Sequence, residues 1–191
     1  MNYKSETYFG DKNNFAIRYV QGHTDKSKNY FYASCHLVLN GQIIGDIDEI
    51  CFLNSWKTSV QDFKERIKND FDLLWHPEFN NRTDTEIFEL ILKANQLKEE
   101  YNPQFAHLPV LENEIWSNCH ISLDETTDAF LIAMIKQNEQ IKFLWKEWRE
   151  PCPNEKIDKL NSIVLDKQFV IEVIEKCLNT ITEDCLNYPM V

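Results

Sequence analysis

Apolar positions recur along this chain with a period near two, then with the helical period of about 3.6, then near two again. Residues 14–20 are rich in Phe, Ile, Tyr and Val and predict a short strand. Residues 21–29, with Gly22, Asp25 and Ser27, read as a polar turn. Residues 30–39 predict a longer strand, with Cys35, Leu37 and Leu39 on one face and His36, Val38 and Asn40 on the other. Asn40-Gly41 marks a hairpin, because both central residues of a type I′ turn need positive φ, and 42–46 is the return strand.

Helical spacing begins next. From a cap at Thr58 or Ser59, the positions Val60, Phe63, Ile67, Phe71 and Leu74 predict a helix that His76-Pro77 ends. Thr83 and Glu86 have the spacing of a capping box and open a second helix reaching about Tyr101, with Ile87, Leu90, Ile91, Ala94 and Leu97 as its buried stripe. Asn102-Pro103 stops it, and 103–114 reads as loop. Sheet is expected again over 115–123, 129–136 and 140–148, and the second of these is nearly all apolar, as a strand covered on both faces would be. Pro151 and Pro153 break the sheet. Asp166 caps a last helix carrying Phe169, Val170, Val173, Ile174, Cys177, Leu178 and Ile181. Strands, helices, strands and a helix in that order predict an α+β fold. The expected form is a single domain over 1–191, a mainly antiparallel sheet with helices packed on it and 185–191 as a C-terminal tail.

Charge changes this picture from architecture toward partners. The 191-residue chain carries a formal charge of −11, and its acids are unevenly placed. Residues 29–56 hold Asp46, Asp48 and Glu49 with no lysine or arginine; residues 99–135 hold Glu99, Glu100, Glu112, Glu114, Asp124, Glu125 and Asp128, again with none. Such a surface repels phosphate and argues against nucleic-acid binding. It suits a basic protein partner, because opposite potentials speed encounter and reject wrong partners; the plainer reading is that acidic surface maintains solubility. Trp116, inside the second acidic stretch beside Glu112 and Glu114, is the aromatic anchor expected there, since tryptophan is enriched at binding hot spots. No apolar run approaches a membrane span, and the first six residues lack an apolar run after Lys4, so a cytoplasmic location is expected.

Chemistry has little to rest on. The chain has no nucleophile elbow, phosphate loop, HExxH or dinucleotide fingerprint, so neither catalytic residues nor a cofactor is assigned. Its six cysteines include no CxxC and read as reduced thiols. Cys35-His36 and Cys119-His120 each fall on an expected strand, where adjacent side chains point to opposite faces, so neither dipeptide offers two ligands to one metal. No metal is expected.

Two glycine-bearing motifs remain: Phe9-Gly10-Asp11 ahead of Phe15-Ala16-Ile17, and Gly41 followed by Ile44-Gly45-Asp46. With Asp128-Ala129-Phe130, Phe143-Leu144-Trp145 and the closing helix, they resemble the immunity protein 42 family over residues 7–75 and 116–181, and thinly through 76–114. That resemblance implies a bacterial protein that neutralises a cognate toxin domain by binding it, with no enzymatic step. Joined to the charge pattern, it implies a basic toxin such as a nuclease, met by Asp46, Asp48, Glu49, Glu112, Glu114, Trp116, Asp124, Glu125 and Asp128. The motif aspartates also read as turn formers, since Asp side chains bond nearby backbone N–H groups. An adaptor binding a protein unrelated to toxins, and a small enzyme using the Cys–His pairs, are the other readings the residues leave open.

Overall fold

The computed structural model describes residues 6–25, 30–96, 102–148 and 159–187. The N-terminal strands form one antiparallel sheet in the order β1 (Glu6–Gly10), β2 (Phe15–Asp25), β3 (Tyr30–Leu39), β4 (Gln42–Ile44), with β5 (Cys51–Phe52) also paired to β3. Asn40 and Gly41 both have positive φ (49° and 77°), so the expected hairpin is present. β2 runs beyond its expected end, through part of the polar segment, and shifts register between Gln21 and Thr24. The remainder of that turn, 26–29, lies outside the described residues.

The helix α1 (Leu53–Asn69) starts five residues ahead of the expected cap. Its N-cap is Phe52, whose side chain makes no capping bond, so the start carries no polar signature. A 3₁₀ turn (Phe71–Leu74) continues its apolar stripe, and Val60, Phe63, Ile67, Phe71 and Leu74 are all buried. α2 (Asp84–Ala94) opens on the Thr83–Glu86 capping box with both reciprocal bonds formed. It ends at Ala94; Leu97 and Tyr101, expected within it, lie outside the described residues.

Residues 115–123 depart from expectation. They form mostly α3 (Asn113–Cys119), and only β6 (His120–Ile121) pairs as sheet. A strand would turn Ser117 to the same face as Ile115 and Cys119. The helix instead buries Ile115 and Cys119, four apart, and leaves Ser117 exposed. Arg66 of α1 secures the end of α3, its Nη1 donating to the carbonyls of Asn118 (2.9 Å) and His120 (2.7 Å), where a cation suits a helix C-terminus. The second sheet then runs β6, β7 (Phe130–Gln137), β8 (Gln140–Glu147), β9 (Asn161–Asp166), all antiparallel. β9 stands where the residue pattern predicts no strand; Pro151 and Pro153 lie outside the described residues. Asp166 Oδ1 accepts from Phe169 N–H (2.8 Å) to open α4 (Lys167–Asn187), so 185–187, expected in the tail, are helical.

The architecture is α+β with two antiparallel sheets. One face of each sheet, α1 and α4 share the larger core, in which Phe15 of β2 stacks on Phe143 of β8 at 5.7 Å between ring centres. The other face of the second sheet packs α2 and α3 over Ala133, Ile135 and Leu144. Together these layers leave the β4–β5 loop of the first sheet facing the β6–β7 loop of the second.

Candidate functional site

The second glycine motif builds one side of that meeting point. Gly45 has φ +121°, and a Cβ there would lie 2.9 Å from His36 Cδ2 and 3.0 Å from the Thr126 carbonyl oxygen. Only glycine lets the loops approach this closely. Asp46 N–H then donates to the Thr126 carbonyl (2.9 Å), joining residues eighty apart in the chain. Asp46 also makes its own turn: its Oδ1 accepts from Asp48 N–H (2.9 Å) and its carbonyl from Glu49 N–H (3.2 Å). The turn leaves Asp48 and Glu49 exposed.

Behind this turn stands a chain of polar groups on the outer face of the first sheet. Glu6 pairs with Arg18 Nε (2.5 Å), and Arg18 Nη1 donates to His36 Nδ1 (3.1 Å). A guanidinium can only donate, so Nδ1 must accept and the proton sits on Nε2, which donates to the Asp46 carbonyl (2.8 Å). His36 is fully buried, and burial lowers its pKa.

The facing side comes from the β6–β7 loop. Asp124 Oδ1 accepts from Thr126 Oγ1 (2.7 Å) and its carbonyl from Thr127 Oγ1 (2.8 Å), while burial raises its carboxyl pKa. Between the loops lies a groove of about 980 Å³ whose lining includes Asp48, Glu49, Asp124, Glu125 and Asp128. Ile50 in its lining is 53% exposed, and Ile47 in the same loop is 48% exposed. Trp148, 45% exposed, is held at the other end, its Nε1 donating to the Asp128 carbonyl (2.9 Å). Acids, Ile50 and Phe52 therefore share a single groove, with the Trp148 indole bonded to one of its lining residues.

The structure thus gathers the acids of 46–49 with those of 124–128. It does not bring Glu112, Glu114 or Trp116 to the groove. Glu112 lies 3.6 Å from His76 Nε2, and Trp116 packs on the second core with its ring stacked on His120 at 3.9 Å. Glu99 and Glu100 lie outside the described residues. The aromatic lining the groove is Phe52 instead, and the exposed Trp148 adjoins the groove through its bond to the Asp128 carbonyl. Cys35 and Cys119 fall in different cores, so the two Cys–His dipeptides do not converge. Burial pushes the Cys119 thiol up to about 12.

The histidines give this fold a pH signature. His120 is lowered to about 4 by burial and the Arg66 guanidinium, and His36 is lowered by burial first. The unfolded chain, with histidines near 6.5, takes up protons before the folded one, so stability falls as pH drops below about 6.5. For His120 the loss at pH 5 is about 2 kcal/mol. Asp124, raised by burial, acts with the opposite sign, so the comparison must be between variants. Melting temperature should fall between about pH 7 and pH 5, and His120→Gln should flatten that fall; identical slopes would show that His120 is not the group responsible.

The chain resembles the crystal structure of CdiI from Burkholderia dolosa AUO158 with a TM-score of 0.57, covering 91% of this chain and 99% of that one. Identity is 12%, so that likeness is one of fold. Residues 7–180 match immunity protein 42, and the chain belongs to that family. No curated protein matches it.

Proposed function

We propose that this protein binds the toxin domain of a cognate bacterial toxin in the cytoplasm and neutralises it by occlusion, with the acidic groove as its principal contact surface. One observation carries the reading: the acids of two loops far apart in sequence line a single groove together with Phe52 and the exposed Ile50, and the exposed Trp148 is bonded to the Asp128 carbonyl at its edge. Aromatic and aliphatic anchors inside a charged rim are the composition of a binding hot spot. The partner this surface fits is basic, as nucleases that hold phosphate are. Neutralisation by binding needs no chemistry, and a buried thiol with a raised pKa is a poor nucleophile.

The test is kinetic. Glu49→Lys combined with Glu125→Lys should slow association with the toxin domain about 10- to 100-fold at low ionic strength and flatten its salt dependence. Glu112→Lys with Glu114→Lys changes net charge equally but away from the groove, and should slow association far less. Equal effects from both pairs would show that net charge, rather than the groove, steers the partner. Growth of cells co-expressing the toxin gives the parallel readout.

A further inference from the structure

A smaller pocket of about 480 Å³ lies where the β3–β4 hairpin meets the ends of β8 and β9. Its lining includes Gln42, Glu147, Lys159 and Asn161. Glu147 is only 8% exposed, and its two oxygens fare differently. Trp145 Nε1 donates to Gln42 Oε1 (2.9 Å), and Gln42 Nε2 donates in turn to Glu147 Oε1. Glu147 Oε2 is screened from water and has no hydrogen-bond partner among the described residues. A carboxylate oxygen deprived of both water and donor costs stability. The Gln42 bond nevertheless holds it in place rather than letting it swing into solvent.

We propose that this pocket is a socket for one basic side chain of the partner, whose guanidinium or ammonium N–H supplies the donor that Glu147 Oε2 lacks. The inference rests on the toxin-binding reading above, and position supports it. Trp148 follows Glu147 directly and bonds the carbonyl of Asp128, which lines the acidic groove. A basic partner that extends from the groove past Trp148 to the end of β8 would come up to the pocket there. The exposed Lys159 there, on a flexible stem and not ion-paired with Glu147, is the part of the wall that turns aside. A charge pair closed off from water in this way acts mainly on dissociation, whereas rim charges act on association.

Two measurements on the full chain test the socket. Methylguanidinium chloride at millimolar concentration, against equal sodium chloride, should shift the Gln42 side-chain amide resonances saturably, and Glu147→Gln should abolish the shift. No saturable shift, or the same shift in the variant, overturns the proposal. Against the cognate toxin domain, Glu147→Gln should speed dissociation about 100-fold with association little changed, because its amide presents a donor where an acceptor is needed. The free variant should melt no lower than the parent, since a buried carboxylate with one donorless oxygen gives way to a neutral amide. Unchanged dissociation, with the groove reversals still slowing association, sinks the socket alone. If neither set of variants alters binding, the toxin-docking reading fails with it. Lys159→Met decides the internal alternative: marked destabilisation would make Lys159 the natural partner of Glu147 and overturn the proposal.

Discussion

Gly45→Ala should cost about 2–4 kcal/mol of stability and, at the same time, slow association with the toxin partner. Two separable effects contribute. A φ of +121° is strained for any residue bearing a Cβ, and the added methyl would press on His36 Cδ2 at 2.9 Å and on the Thr126 carbonyl oxygen at 3.0 Å. Neither neighbour can yield freely. His36 is held between Arg18 and the Asp46 carbonyl, and the Thr126 carbonyl is the acceptor of the Asp46 N–H. Relief therefore comes from parting the two loops, which widens the groove. Gly41→Ala is the control: its φ is also positive, but a Cβ there meets nothing nearer than 4.0 Å. Urea titrations of the two variants should show the larger loss at Gly45, and only Gly45→Ala should alter the association rate. Equal losses, with association unaltered in both, would mean that the close approach of the loops does not shape the groove.

Phe143→Ala should be the most damaging single truncation in the larger core, at about 3–5 kcal/mol. Its ring is fully buried, stacked on Phe15 of the opposite sheet at 5.7 Å and edge-on to Phe63 of α1 at 6.0 Å. Removing it opens a cavity where both sheets and a helix converge, and it forfeits two aromatic contacts beyond the area lost. A domain of ordinary stability, about 5–15 kcal/mol, would be left marginal. Phe143→Leu should recover most of the loss in equilibrium denaturation. A loss under about 1 kcal/mol for the alanine variant would show that the sheets are held together elsewhere.

The sequence made some of this legible and hid the rest for definite reasons. Elements with local signatures were readable: the Asn40-Gly41 turn, the Thr83–Glu86 box, the Asp166 cap and the apolar strand β7 all stand where their residues place them. The start of α1 was not, because Phe52 gives no polar cap and the helix leads straight out of a two-residue strand. Residues 115–119 misled because Ile115 and Cys119 share a face in either a strand or a helix. The helical alternative is favoured by packing against α2 and by Arg66 from a distant element. For the site, both acidic stretches were visible in composition. Their division was not: 124–128 meets 46–49 through the Gly45 contact, whereas Glu112 and Glu114 are carried off with α3. No local pattern at Trp148 distinguished it from Trp116; it lies at the groove because β8 ends beside the Asp128 carbonyl.

One consequence follows from the groove's walls belonging to different sheets. A partner seated across both loops acts as a brace, since pulling the sheets apart would first require its departure. By mass action, ligand at about a thousand times its dissociation constant adds about 4 kcal/mol to the folded state. Proteases in the cell act on opened chains, so the occupied protein should outlast the empty one. The cell's reserve of protection would then be set by turnover of the vacant form, and arrival of the partner would itself slow the loss of the molecule that restrains it.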